Sequence, residues 1–167
     1  ESYPQAAQRA ATVVPMTADA PTILATSGGF RYGHRTDVEF AALVHHAVDL
    51  SGTHGRRPRV NYVGMVSGDP RYMNYRVIEA GRVAGFDVTC LDLFPMPNLD
   101  DVPGHLLEAD VVWVGGGSVA NLLAVWDVHD LRPAMRAAWE AGVVLGGVSA
   151  GSICWYLGGC TDSFGPD

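Results

Sequence analysis

The sequence has few basic residues. Lysine and arginine together number 11 against 18 aspartates and glutamates, so the 167 residues carry a formal net charge of −7. The basic residues are scattered along the chain, so the sequence lacks the clustered positive charge that binds nucleic acids or anionic membranes. We therefore expect no nucleic-acid partner and no membrane partner.

Cysteines and long apolar runs are also scarce. The three cysteines, Cys90, Cys154 and Cys160, show no C-x-x-C spacing, which argues against a disulfide framework or a thiolate metal site. No apolar stretch reaches the roughly 18 residues of a spanning helix, and the first twenty residues lack the pattern of a signal peptide. These observations favour the reducing cytoplasm.

What the sequence does contain is an alternation of short apolar runs with helical patterns. Residues 1–20 hold Pro4 and Pro15 without a sustained period, which indicates an amino-terminal extension. Residues 21–167 are expected to form a single α/β domain, a mostly parallel sheet with helices on both faces. The strands are predicted at 22–27, 59–66, 86–94, 110–114 and 143–148.

Helix boundaries are predicted from capping signals. Thr36 and Glu39 fit a capping box before an apolar pattern that ends at Gly52. Asp69 and Pro70 suit the start of a helix that runs to Gly85. Further helical patterns cover about 103–109, 119–127 and 131–141, and the sequence from Ser149 onward also indicates a helix.

The stretch from Gly147 to Gly151 fits the pattern G-x-S-x-G, with Ser149 directly after a predicted strand. A serine on a sharp strand-to-helix turn needs small residues two positions before and after it, and its hydroxyl then projects from the sheet edge. The next residue's N–H is free to bind an oxyanion. The alternative is a glycine-rich junction in which the serine only caps a helix. The strand before Ser149 and the helix after it favour the nucleophile.

Three consecutive glycines, Gly115 to Gly117, follow the strand at 110–114. Such a turn lets backbone N–H groups approach a ligand, as in an oxyanion hole or an anion site. A dinucleotide fingerprint also fits Gly115, Gly117 and Ala120, with Glu140 twenty residues further on. That fingerprint normally opens the first strand–helix unit rather than following the fourth strand. The glycines could equally serve only to relieve crowding at a turn.

No histidine follows Ser149. The six histidines all precede it and none shows metal-ligand spacing; they are His34, His45, His46, His54, His105 and His129. His45 and His46 are adjacent in a predicted helix, so they cannot both face one site. A serine hydroxyl needs a neighbouring base, and none is recognisable downstream. No metal or organic cofactor is expected.

The stretches "VVWVGGGSVANLLAVW", "LGGVSAGSICW" and "TDSFGP" together resemble the peptidase E (aspartyl dipeptidase) family, which includes the cyanophycinases. The resemblance implies a class I glutamine amidotransferase-like, flavodoxin-type fold and hydrolysis of short acidic substrates, typically Asp-Xaa dipeptides with a free amino terminus. It implies Ser149 as nucleophile and the N–H groups of Ala150, Gly117 and alternatively Gly116 as the oxyanion hole. Asp162 falls where a supporting or substrate-orienting role is implied.

The chain departs from the family at two points. Ser118 replaces an asparagine common after the glycines, and the family's histidine, its carboxylate partner and its basic substrate-binding residue lie tens of residues beyond the elbow. We therefore expect this chain to be the amino-terminal portion of a longer domain. A carboxyl-terminal fragment of the same protein and a second copy are open as partners, besides a small acidic peptide substrate.

Other functions fit parts of the same pattern. A cyanophycinase-like or esterase-like hydrolase would use the same elbow, and a substrate panel would separate it from a dipeptidase. A non-catalytic binding domain on this fold is the alternative from a different class, since a fold does not fix a function. An NAD-binding domain is the third alternative.

Overall fold

A computed structural model describes residues 18–64 and 71–165 of the chain. Its centre is a five-stranded parallel sheet in the order β1-β7-β6-β4-β5, accompanied by a two-stranded antiparallel ribbon, β2-β3. The strands are β1 (Ile23–Thr26), β2 (Phe30–Tyr32), β3 (Val38–Phe40), β4 (Arg59–Val63), β5 (Asp87–Leu91), β6 (Val111–Val114) and β7 (Val144–Val148). The helices are α1 (Ala42–Leu50), α2 (Arg71–Ala84), α3 (Val102–Leu107), α4 (Val119–Val128), α5 (Leu131–Glu140) and α6 (Ala150–Ile153).

Helices cover both faces of the sheet, as the apolar runs of the central strands require. β6 is buried at every position, because a parallel strand between two helical layers has no solvent face. Val112 and Val114 pack with residues of α4 and α5, whereas Val111 and Trp113 pack with residues of α1 and α2. The α/β fold class predicted from the sequence is therefore confirmed.

The predicted capping box at Thr36 and Glu39 is wrong. Phe30, Val38 and Phe40 follow a period of two and lie in the β2-β3 ribbon. Phe40 is buried there, with its ring centroid 5.7 Å from that of Phe86. The Glu39 carboxylate instead accepts hydrogen bonds from the Arg31 guanidinium and the His34 N–H. Helix α1 begins only at Ala42 and has no side-chain cap.

The other predicted elements are present with shifted ends. β5 ends at Leu91 rather than at residue 94. At this end the Asn98 side chain donates to the Cys90 carbonyl and accepts from the Asp92 N–H. The helix expected from Ser149 onward is only four residues long. The predicted helix start at Asp69 and Pro70, and most of the amino-terminal extension, lie outside the described residues. Among the helices in the described ranges, none is both long and apolar enough to cross a membrane.

Candidate active site

Ser149 lies at the carboxyl end of β7, in a strained turn into α6. Its backbone angles are φ 56° and ψ −118°, a conformation that residues with a side chain seldom adopt. Both of its backbone polar groups are held: the N–H donates to the Thr26 carbonyl at 3.3 Å, and the carbonyl accepts from the N–H groups of Ser152 and Ile153. The neighbouring strand and helix therefore fix the turn in this geometry.

The two outer positions of G-x-S-x-G must be glycine, because neighbouring backbone leaves no room for a side chain there. A Cβ on Gly147 or on Gly151 would lie less than 3.0 Å from the Val114 carbonyl oxygen. The Gly151 position would also bring it against the Gly115 carbonyl. The elbow therefore closes directly against the end of β6, and the steric argument made from the sequence holds.

The glycine loop at 115–117 lies beside Ser149. A Cβ on Gly116 would stand 3.2 Å from the Ser149 Cβ and 3.8 Å from its Oγ. Gly117 is exposed and has φ 152°, which favours glycine. Ser118 caps α4, since its hydroxyl accepts from the Asn121 N–H. The structure thus brings Gly116, Gly117 and Ala150 around the serine named from the sequence.

These backbone N–H groups have no acceptor in the described part of the chain. No hydrogen bond there uses the N–H of Gly116, Gly117 or Ala150, nor the Ser149 hydroxyl. Ala150 is the first residue of α6, whose N–H groups have no partner within the helix. These N–H groups beside Ser149 can therefore donate hydrogen bonds to a negatively charged oxygen.

Ser149 opens onto a cleft of about 650 Å³. Asp162 lies in the same cleft, so the structure brings together four of the five sequence-predicted site residues, with Gly116 directly behind the serine. The lining residues are Gly117, Ser149, Ala150, Ile153, Cys160, Thr161, Asp162 and Gly165. Of the lining residues within 18–64 and 71–165, Asp162 alone carries a formal charge at neutral pH.

None of the six histidines lines this cleft. His45 is exposed on α1, with its ring 5.1 Å from that of Phe86, and His105 contacts the Thr89 hydroxyl at 3.0 Å. His129 forms the carboxyl-terminal cap of α4. His46 is likewise exposed on α1. The described cleft therefore holds a serine hydroxyl and backbone N–H groups without acceptors, but no imidazole.

Cys154 lies under the elbow and does not compete as a nucleophile. Its thiol is buried and donates to the Gly151 carbonyl at 3.4 Å. Burial raises the pKa of this thiol to about 12, so it stays protonated at neutral pH.

Thr26 is a part of the site that sequence reasoning missed. Its hydroxyl donates to the carbonyls of Gly147 and Gly28, and its own carbonyl accepts the Ser149 N–H. The contacts of Thr26 with Gly147 and Ser149 join residues more than 120 positions apart, through the parallel pairing of β1 with β7. No local signal predicts that pairing.

Glu140, the acidic residue of the dinucleotide alternative, does not lie at a strand end. Glu140 is the last residue of α5 and its carboxylate faces Arg136 on the same exposed helix surface, at 3.8 Å. In the dinucleotide fingerprint the acidic residue binds a ribose from a strand end.

Comparisons with known proteins agree with this architecture. A crystal structure from Listeria monocytogenes EGD-e, whose name assigns it provisionally to peptidase E, superposes with a TM-score of 0.50. The two sequences are 19% identical, and the superposition covers 60% of this chain and 50% of the Listeria chain. This likeness supports the fold alone. The uncharacterized peptidase YgaJ of Bacillus subtilis (strain 168) is 38% identical over 117 residues, which are 70% of this chain and 50% of that protein.

The chain thus spans about half the length of these relatives. The sequence pattern of Peptidase family S51 matches residues 23–167, which include the whole sheet, the glycine loop and the elbow. The chain belongs to peptidase family S51.

Proposed function

We propose that the chain carries the nucleophile and oxyanion hole of a serine peptidase that acts on short peptides with an amino-terminal aspartate. The observation that carries the proposal is the strained Ser149 turn, which faces a cleft beside backbone N–H groups without acceptors. Residues in such conformations persist where the surrounding structure imposes them, and they cluster at active sites. Membership of a peptidase family supports the same role.

In the proposed reaction the Ser149 Oγ attacks the scissile carbonyl carbon and its proton passes to a general base. The carbonyl oxygen becomes an oxyanion, bound by the N–H groups of Ala150 and Gly117, with Gly116 as the alternative donor. The C–N bond then breaks, the leaving amine takes the proton, and water hydrolyses the acyl-enzyme. We assign the base to a group other than the six histidines, because none of them lines the cleft.

The charge of the cleft supports an exopeptidase. Asp162 is the only formally charged residue among the described lining residues, and a carboxylate in that place suits the free α-ammonium group of a peptide. No arginine or lysine is among the described lining residues, so the preference for an aspartyl side chain rests on the family resemblance. The proposed roles of Asp162 and of the acidic substrate can therefore be tested separately.

The test replaces Ser149 in the full-length protein. Ser149→Ala should lower kcat/KM for aspartyl p-nitroanilide by about 10³-fold or more, since loss of a serine nucleophile removes most of the catalysis. Ser152→Ala is the matched control, because Ser152 lies on the same short helix and its hydroxyl, among the described residues, binds only the Ser149 carbonyl. Ser149→Ala with undiminished turnover would refute the proposal.

Three further measurements separate the alternatives. A serine-directed phosphonate should add to Ser149 in intact-mass and peptide analysis, and an unreacted Ser149 would instead favour a binding domain. N-acetylation of the aspartyl substrate should raise KM if Asp162 binds the ammonium group. Faster hydrolysis of p-nitrophenyl acetate or of aspartyl–arginine polymer than of the anilide would favour the esterase-like or cyanophycinase-like alternative.

A further inference from the structure

One side of the cleft is lined by a segment that follows α6 closely in the chain. Residues 157–165, called here the cleft-wall segment, contribute Cys160, Thr161, Asp162 and Gly165 to the lining. Its two large apolar side chains do not anchor it, since Leu157 and Phe164 are both exposed. Gly159 lies so close to the Ile153 side chain that a Cβ at position 159 would clash with it.

One side chain connects this segment to the body of the protein. The Ser163 hydroxyl accepts the Ala120 N–H at 3.3 Å. Within residues 18–64 and 71–165, this is the only hydrogen bond between the cleft-wall segment and the rest of the chain. Ser163 is also half-buried, whereas its neighbours in the segment are exposed.

The partner of Ser163 is a group that needs an acceptor. Ala120 is the second residue of α4, so its N–H has no partner within the helix. Ser118 serves the next N–H, that of Asn121. The helix begins two residues after Gly117, which places the Ser163 contact directly beyond the proposed oxyanion hole.

A second hydroxyl extends this contact into the cleft. The hydroxyls of Ser163 and Thr161 are 2.7 Å apart, and the Ser163 N–H donates to the Thr161 oxygen at 3.1 Å. The two hydroxyls share one hydrogen bond, so one of their two protons remains available as a donor. Thr161 lines the cleft next to Asp162.

We propose that Ser163 is a positioning residue, which holds the cleft-wall segment against α4 and thereby sets the affinity of the Ser149 site for its substrate. This inference rests on the proposed function. Ser163 does not line the cleft, and it acts through Thr161 and Asp162, which do. Its loss should therefore weaken substrate binding much more than it slows the chemistry at Ser149.

The experiment compares Ser163→Ala with Ser163→Thr in the protein as its gene encodes it. Ser163→Ala should raise KM for aspartyl p-nitroanilide by roughly three- to tenfold, the equivalent of one neutral hydrogen bond, with kcat changed less than about twofold. Ser163→Thr keeps the hydroxyl and should restore KM. Amide hydrogen exchange of Ala120 should accelerate in Ser163→Ala and return towards the original rate in Ser163→Thr.

Asp101→Ala is the control for general destabilisation. Asp101 caps α3 by accepting the Gly104 N–H at 2.8 Å, so its loss should lower thermal stability without changing KM. Ser163→Ala with KM within twofold of the original, or with unchanged Ala120 exchange, would overturn the inference and leave the proposed function standing. Failure of the proposed function would be seen separately, as activity retained by Ser149→Ala.

Discussion

At the scale of single residues, the elbow depends on the absence of side chains as much as on the serine. Ser149 has a positive φ, and its Oγ is exposed because the chain turns within one residue from β7 into α6. That turn is possible only because Gly147 and Gly151 leave room for the end of β6. The residues that make Ser149 reactive in our proposal are thus the same residues that make the turn fold.

Gly151→Ala should therefore destabilise the protein strongly. A Cβ at this position meets two backbone carbonyls, those of Val114 and Gly115, and backbone cannot move aside as a flexible side chain can. We expect a loss of about 3 kcal/mol in the free energy of unfolding, the upper range for overpacking. Urea denaturation followed by circular dichroism measures it.

Gly158→Ala is the matched control for this change. Gly158 is exposed and a Cβ there would meet nothing within 4 Å, so the same substitution should alter stability by less than about 0.5 kcal/mol. Equal effects of the two substitutions would show that the elbow tolerates a Cβ and that the steric argument is wrong.

At the scale of elements, most helices and strands were predictable because their apolar periods are clear. The β2-β3 ribbon was not, because Thr36 and Glu39 fit a capping box and Phe40 fits the helical period that follows. Tertiary packing decides between the ribbon and the helix. The ring centroids of Phe30 and Phe40 are 5.5 Å apart, and both rings pack in the apolar cluster that includes residues of α1 and α2. A period-two pattern of three residues is too short to outweigh a capping signal in the sequence alone.

One element boundary depends on an ion pair whose carboxylate is buried. Asp110 precedes β6, is only 2% exposed, and accepts hydrogen bonds from both terminal nitrogens of Arg56 at 2.8 and 2.6 Å. It also accepts the Arg59 N–H at 2.7 Å, which joins the start of β4 to the start of β6. The hydrogen bonds from Arg56 to Asp110 raise the pKa of the Arg56 guanidinium, so this side chain stays positively charged at physiological pH.

Asp110→Asn should cost about 3 kcal/mol of unfolding free energy, because it leaves the Arg56 charge facing a neutral group and breaks the paired geometry. Chemical denaturation measures the change. Glu140→Gln is the control: the Arg136–Glu140 pair lies on an exposed face of α5 at 3.8 Å, so its loss should cost less than about 0.5 kcal/mol. A similar cost for both would mean that burial adds nothing to the Asp110 pair.

At the scale of the whole molecule, strand order creates the candidate site. The sequence indicated that Ser149 and the glycine loop each follow a strand, but not that β6 and β7 are neighbours or that β1 pairs with β7. Those pairings join segments far apart in the chain, where periodicity carries no information. The motifs, and Asp162 through the family resemblance, could therefore be predicted residue by residue, whereas the contributions of Thr26 and Ser163 could not.

The central strands also couple the two faces of the sheet. Val111, Trp113 and Val144 pack on the α1–α2 side, whereas Val112, Val114 and Leu145 pack on the opposite side. Alternate residues of one strand thus belong to different apolar clusters. Neither helical layer can detach without exposing residues of β6 and β7, so we expect both clusters to unfold in one transition.

The four tryptophans report this coupling, because Trp113 lies in the α1–α2 cluster and Trp126, Trp139 and Trp155 pack in the opposite one. In protein labelled with 5-fluorotryptophan, the four native ¹⁹F signals, assigned by single Trp→Phe variants, should lose intensity at one urea concentration. Each variant serves only for assignment, so all midpoints come from the unsubstituted chain. A Trp113 signal that survives where the Trp126 signal is lost would show that the two layers unfold independently, in spite of the strands they share.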